Sequence, residues 1–241
     1  MRDIWDDGLN WDERLWRYLA TDRFLWLLDH SRIYFAAATQ FGDPFEGAVA
    51  IQAHDLPIDP RYEQMEHSEK AFRELTRLTK INCWHRAEYE SDAMWKLYAS
   101  ASKGVAICST PERMRSAFKP FRLAPQYGIE DLWCGSVRYQ DLMKVRMKET
   151  MLKRFFYKHQ AFAWEREFRL AVSVRMAEEF GVNVPELGIE LSVDVGMLIE
   201  RIMLGPALSQ MERDLISQNA QKAGLGDRIV MSSLLGRPRY I

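Results

Sequence analysis

The sequence predicts an α+β fold: one domain over residues 1–241, with a mixed, mostly antiparallel sheet flanked by helices and residues 1–12 as an N-terminal extension. Three observations lead there. Apolar residues make up 47% of the chain, enough to close a substantial core. Short strand-like runs and amphipathic stretches follow one another without the regular βαβ rhythm of a doubly wound sheet. Finally, the sequence has no Gly-x-Gly-x-x-Gly loop, no Gly-x-x-x-x-Gly-Lys-Ser/Thr loop and no Gly-x-Ser-x-Gly elbow. The dinucleotide-binding, phosphate-loop and hydrolase readings lose their main support with them.

Taken in order, Leu15-Trp16-Arg17-Tyr18 reads as a strand or extended lead-in, and residues 23–28 as a short helix. Residues 32–37 follow as a strand. A loop over 39–47 comes next, its turns marked by Gly42, Asp43-Pro44 and Gly47. Beyond Pro57 and Pro60, residues 61–79 form a charged amphipathic helix. Residues 80–84 are a short strand, and 91–101 a helix capped by Ser91 or Asp92, with Gly104 suited to a left-handed position at its close. Residues 105–108 read as a buried strand before a helix opening near Thr110-Pro111-Glu112. A strand at 134–139, a helix over 141–163 and a strand carrying Glu165 and Glu167 are expected next. Strands near 188–192, 199–204 and 228–233, with a helix at 208–223, complete the chain.

Composition narrows the function classes. Thirty-three basic and 34 acidic residues give a net charge of −1, which argues against a protein that coats nucleic acid. No run approaches the roughly 20 apolar residues that cross a membrane. The N-terminus carries acids where a secretory signal needs a positive start and an apolar run, so a cytoplasmic protein without a membrane partner is expected. Cys83, Cys108 and Cys134 are widely spaced, and the five histidines lack ligand spacing, so no metal is expected. Eight Trp are an unusual number, suited to a core or to a pocket that stacks flat ligands.

The stretch richest in chemistry is 158–172. If it is a strand from Glu165 onward, side-chain alternation puts Glu165, Glu167 and Arg169 on one side and Trp164, Arg166, Phe168 and Leu170 on the other. Two carboxylates so placed can serve glycosyl chemistry, one beside a positively charged sugar and one on the incoming group. The same pattern also fits a charged strand face. Met94, Trp95 and Tyr98 form an aromatic stripe that is either core or a stacking face for a nicotinamide or a base. Asp43 and Glu46 sit in a turn whose Asp bonds its own backbone. Between 144 and 159, Lys144, Arg146, Lys148, Lys153, Arg154 and Lys158 alternate with aromatics. This pattern fits a phosphate-bearing ligand, although Met147, Met151, Phe155 and Lys158 follow a buried helical period.

Several segments, in order, resemble a bacterial family catalogued only as domain of unknown function 2971. They are Leu15-Trp16-Arg17-Tyr18, Ile33-Tyr34-Phe35, Phe41-Gly42-Asp43-Pro44-Phe45, Cys83-Trp84, Met94-Trp95-Lys96-Leu97-Tyr98-Ala99, Lys103-Gly104-Val105, Val137-Arg138-Tyr139, residues 158–169 and Ile202-Met203-Leu204-Gly205-Pro206. Departures fall at Gly42, where the family has Asn, at His85, where Ser is usual, and at Phe162, where Trp is favoured.

The order of elements is also similar to that of ADP-ribosyltransferases, though the Ser-Thr-Ser strand motif of that fold has no match. This second resemblance implies NAD as substrate, Arg17 as the residue that grips it, and Tyr98 or Trp95 as the nicotinamide stacker, with Tyr34 also at the binding site. It implies Glu167 as the catalytic carboxylate and Glu165 acting on a protein or nucleic-acid acceptor, in a toxin or phage-defence setting. The alternative is a non-catalytic nucleotide- or protein-binding module in which Trp84, Trp95 and Tyr98 form the pocket. A nuclease would require Asp43 and Glu46 to join Glu165 or Glu167 around a metal.

Overall fold

The computed structural model describes residues 1–43, 45–48, 62–145 and 149–236. Pro44, Pro57, Pro60, Arg146, Met147 and Lys148, which entered the reading of turns and of the basic stretch, lie outside them. The chain is α+β and its strand pairings are mostly antiparallel. By its contacts it divides into two compact units, each gathered from three stretches of sequence. The first holds Met1–Leu9, Tyr34–Cys83 and Pro120–Glu190; the second holds Asn10–Ile33, Trp84–Lys119 and Leu191–Ile241.

In the first unit the strand Trp133–Ser136 lies antiparallel to Glu167–Ser173, with Cys134 opposite Leu170 and Ser136 opposite Phe168. On its other side it pairs in parallel with Arg2–Asp3. The N-terminus, read as an extension, therefore starts as a sheet strand. Ile4 is buried, and the Trp5 indole N–H donates to Ser136 O at 2.8 Å. Phe155, Phe156, Ile81 and Ala171 form the core here. A separate two-stranded sheet pairs Arg138–Gln140 with Tyr157–His159 in parallel.

Two expectations fail in this unit. The strand at 134–139 is broken at Val137, and its second half joins the small sheet. The described residues of 141–163 form no long helix: a 3₁₀ turn at Lys153–Phe156 leads into the strand Tyr157–His159 and a second 3₁₀ segment, Gln160–Glu165. The physical reason lies in Phe155-Phe156-Tyr157. All three successive residues are buried, so the chain is enclosed from more than one side, where an amphipathic helix would bury one stripe. Met151, assigned to the buried stripe, is exposed.

In the second unit Leu15–Ala20 runs antiparallel to Gly104–Ser109, which runs antiparallel to Arg201–Leu204, itself parallel to Ile229–Met231. Gly104–Ser109 is buried along its whole length, as its apolar run predicts. Helices here start at side-chain caps, one of them where the sequence opens a helix at Thr110. Thr110 accepts the Arg113 N–H ahead of Pro111, and Ser209 forms a reciprocal capping box with Glu212. Gly104 does not close the helix Asp92–Tyr98. The left-handed residues are Ser100, Ala101 and Ser102, and Gly104 opens the next strand. A Cβ on Gly104 would stand 2.2 Å from Leu19 O, so glycine is needed for close strand approach.

Candidate functional site

Five ionisable side chains converge in the first unit. Glu167 and Arg169 alternate along the strand Glu167–Ser173, so both point to one face, where Arg169 Nε donates to Glu167 Oε2 at 2.6 Å. Lys158, from Tyr157–His159, donates to Glu167 Oε1 at 2.7 Å and to Glu165 Oε2. The far edge of the Arg169 guanidinium grips both oxygens of Glu46 and donates to Phe155 O at 2.6 Å. All five are buried, Arg169 completely. Aromatic faces close the cluster: Phe162 lies 4.5 Å from the Lys158 ammonium and Phe41 5.6 Å from the Arg169 guanidinium.

Local backbone features put the carboxylates there. Asp43 Oδ1 accepts the Phe45 N–H at 2.9 Å, forming the turn expected of Asp. Gly47 then takes φ +75, and a Cβ on it would meet the Phe155 ring at 2.5 Å. Only glycine lets the loop sit close enough for Glu46 to reach Arg169. Glu165 arrives by a different route from the one alternation suggests. It ends the 3₁₀ segment, Arg166 turns the chain at φ 42, and the strand starts at Glu167. The Glu167 N–H donates to the Tyr139 hydroxyl oxygen at 2.8 Å.

Electrostatics follow from composition. Three carboxyls face two fixed cations, so full ionisation would leave a net negative charge in a site that excludes water, and a single proton restores neutrality. Glu167 has an N–H donor on each oxygen. Burial penalises its charge, but Arg169, the hydrogen bond from Glu165 and Lys158 together hold its carboxyl well below the usual range. Burial pushes Glu46 upward against the pull of its two-pronged contact with Arg169. Burial, and then the hydrogen bond shared with Glu167, push Glu165 up to about 7. Of the three carboxyls, Glu165 is the one without an arginine, which leaves it placed to keep the proton. A proton-bearing carboxyl beside an ionised one is a general acid/base arrangement.

Glu165 and Glu167, the expected catalytic pair, are thus brought together. Tyr34, in the same unit, is partly exposed, and its hydroxyl lies 2.8 Å from Leu187 O and 2.9 Å from Gln40 Oε1. The other expected ligand contacts belong to the second unit. There the Arg17 guanidinium lies 6.0 Å from the centre of the Trp84 ring. Tyr98 is 48% exposed. Trp95 is corrected: it is fully buried, edge-on to Tyr18 at 5.0 Å, so in this conformation it packs the core and does not stack a ligand. Its indole N–H donates at 2.7 Å to Glu90, which also accepts from Ser232 Oγ, Ser233 Oγ and Ser233 N, each at 2.6 Å.

The nuclease arrangement is half realised. Glu46 does come to Glu167, but Arg169 fills the space between them and Lys158 the space between Glu165 and Glu167. Ammonium and guanidinium groups occupy the positions a metal would need. The part missed in sequence is the pairing of Glu46 with Arg169, since the sequence offers Glu46 only as a turn residue or a nuclease carboxylate. Its partner lies 123 positions away, and Gly47 beside it was the local sign of a close approach. Compared with family models, with curated proteins and with solved structures, the chain matches none.

Proposed function

We propose that the chain is a nucleotide-directed enzyme that breaks or transfers at the N-glycosidic bond of NAD or a related nucleotide, with Glu167 and Glu165 as its working carboxyls. The reading is carried by the surplus carboxyl: Glu46, Glu165 and Glu167 are buried against only two cations, Lys158 and Arg169, and burial raises Glu165 toward keeping the proton this demands. Glu167, its charge fixed by Lys158 and Arg169, would face the positive charge that develops on the ribose as nicotinamide leaves. Glu165, once ionised, would take the proton of the attacking water or acceptor hydroxyl. The ribosyltransferase-like order of elements points the same way and implies a toxin or phage-defence setting, while the segments resembling domain of unknown function 2971 imply no activity. Tyr34, in the same unit as both carboxyls, is the residue proposed to hold the nucleotide there.

Nicotinamide release from NAD by the purified protein tests this. Release should rise with pH up to about 7 as Glu165 ionises, and fall by roughly 10²–10³ in Glu167→Gln, the usual loss for one electrostatic stabiliser. No release with water, protein or nucleic acid as acceptor, or an unimpaired folded variant, would overturn it. The alternative of a non-catalytic binding module is favoured by one observation: both Glu167 oxygens are engaged and the residue is buried. Calorimetry with a nucleotide panel separates the two, since saturable heat without turnover belongs to the module.

A further inference from the structure

The second unit holds a pair of charges that the glycosidic reading does not use. Arg113, on the helix Pro111–Ala117, and Arg228, which ends the 3₁₀ turn Gly226–Arg228, reach the same two carbonyl oxygens. Arg113 Nη2 donates to Gly196 O at 3.2 Å and to Ile199 O at 3.1 Å. Arg228 Nη1 donates to Gly196 O at 2.5 Å and also to Ile199 O. These carbonyls close the short helix Val195–Leu198, an end that carries only a partial negative charge. One cationic side chain suffices to cap such an end, and the second adds a whole positive charge beside the first. Two nitrogens on one oxygen, at 3.2 and 2.5 Å, stand no more than about 6 Å apart.

The neighbouring carboxylates are committed elsewhere. Glu112 pairs with Arg115 at 2.8 Å, Glu200 with Arg201 at 3.4 Å, and Asp194 accepts the Met197 N–H at 2.9 Å. Among the described residues no carboxylate comes within 4.0 Å of the Arg113 or Arg228 guanidinium, Asp227 included. Each oxygen has both lone pairs taken, while each guanidinium has used one nitrogen and keeps Nε and the other Nη. Nε of Arg113 is buried and has no hydrogen-bond partner. Both residues are half-buried, so their charges are partly stripped of water without being paired.

We propose that Arg113 and Arg228 form a binding site for a doubly charged oxyanion, a phosphate group either free or carried as the monoester of a small molecule. Two guanidiniums match two negative charges, and their planar forks fit phosphate oxygens. The shared carbonyls hold both side chains in place before a ligand arrives, which removes part of the ordering cost of binding. The site is independent of the glycosidic reading. Glu165 and Glu167 belong to the first unit, and absent nicotinamide release would leave the oxyanion site standing.

Arginine Nε–Hε signals of the full chain, followed by NMR at about pH 7.5, where a phosphate monoester is nearly a dianion, test it. Inorganic phosphate and glycerol phosphate are titrated in turn, with acetate at the same ionic strength as the comparison. The Arg113 and Arg228 signals should move together on one saturable curve. Those of Arg115, which pairs with Glu112 and lies over the Trp11 ring, should stay in place. Arg113→Gln and Arg228→Gln should each weaken binding by roughly tenfold or more, and Arg115→Gln should leave it unchanged. Tighter binding of glycerol phosphate assigns the site to an esterified ligand; equal or weaker binding assigns it to the free ion. No shift, a shift that never saturates, an equal response to acetate, or an equal loss in Arg115→Gln overturns the site. Should either variant not fold, the wild-type curves against acetate decide alone.

Discussion

Two carboxylate networks, one in each unit, use opposite designs. Glu90 is a single carboxylate surrounded by neutral donors: the Trp95 indole, two serine hydroxyls and one backbone N–H. Burial opposes its charge, but those hydrogen bonds outweigh it and lower its carboxyl below the ordinary value. It is saturated, ionised and fixed, and it ties Ser232 and Ser233 to the helix of Trp95. Around Arg169, the donors are charged and outnumbered by carboxyls, so one proton must be taken in. Matching each acceptor with neutral donors makes a structural clasp, whereas crowding carboxyls around too few cations makes a site that exchanges a proton. That difference marks the network around Arg169, and not the one around Glu90, as the one able to exchange a proton.

Breaking the charged network should cost most. Arg169→Leu strands Glu46 and Glu167 without their guanidinium and should lower unfolding free energy by about 3–5 kcal/mol in urea titrations. Gly47→Ala attacks the same network from the backbone, forcing a Cβ toward the Phe155 ring at a left-handed position. A loss of about 2–3 kcal/mol is expected, with Glu46 displaced from Arg169. Glu90→Gln keeps shape and loses charge; partly exposed, it should cost about 1–2 kcal/mol.

The mildest perturbation is pH, and its sign differs between the two sites. Glu165, raised in the fold, contributes stability that is full below the ordinary carboxylate value and lost as pH rises to about 7, at most about 1.4 kcal/mol per pH unit. Glu90, lowered in the fold, contributes stability above the ordinary value that is lost as pH falls through it. Thermal unfolding of Glu165→Gln and Glu90→Gln across pH should therefore flatten opposite limbs of the wild-type profile, and flattening of the same limb would erase the distinction.

Much of this was legible along the chain. The apolar run in 105–108, the strand at 32–37 and the caps at Ser91 and Thr110 are local chemistry, and the structure has them where expected. Two errors share a cause: a local signal with two physical meanings. Gly104 after a helix reads as a cap, yet it serves the close approach of Leu19. Phe155 spaced four residues from Met151 reads as a helix face, yet burial of Phe155, Phe156 and Tyr157 together breaks that period. Glu165 and Glu167 were paired correctly on the wrong geometry, because nothing local announces a left-handed arginine at 166. The Glu46 contact was out of reach, since ion pairing across more than a hundred residues leaves no periodic trace.

The central claim is that Glu165 and Glu167 share one proton that neither would hold alone. Carboxyl carbon shifts of the two glutamates, followed by NMR from about pH 4 to 8, test it directly. The pair should take up its proton with a midpoint near 7, with Glu167 ionised throughout, and that transition should vanish in Glu165→Gln. Two independent titrations near the ordinary glutamate value would contradict the account.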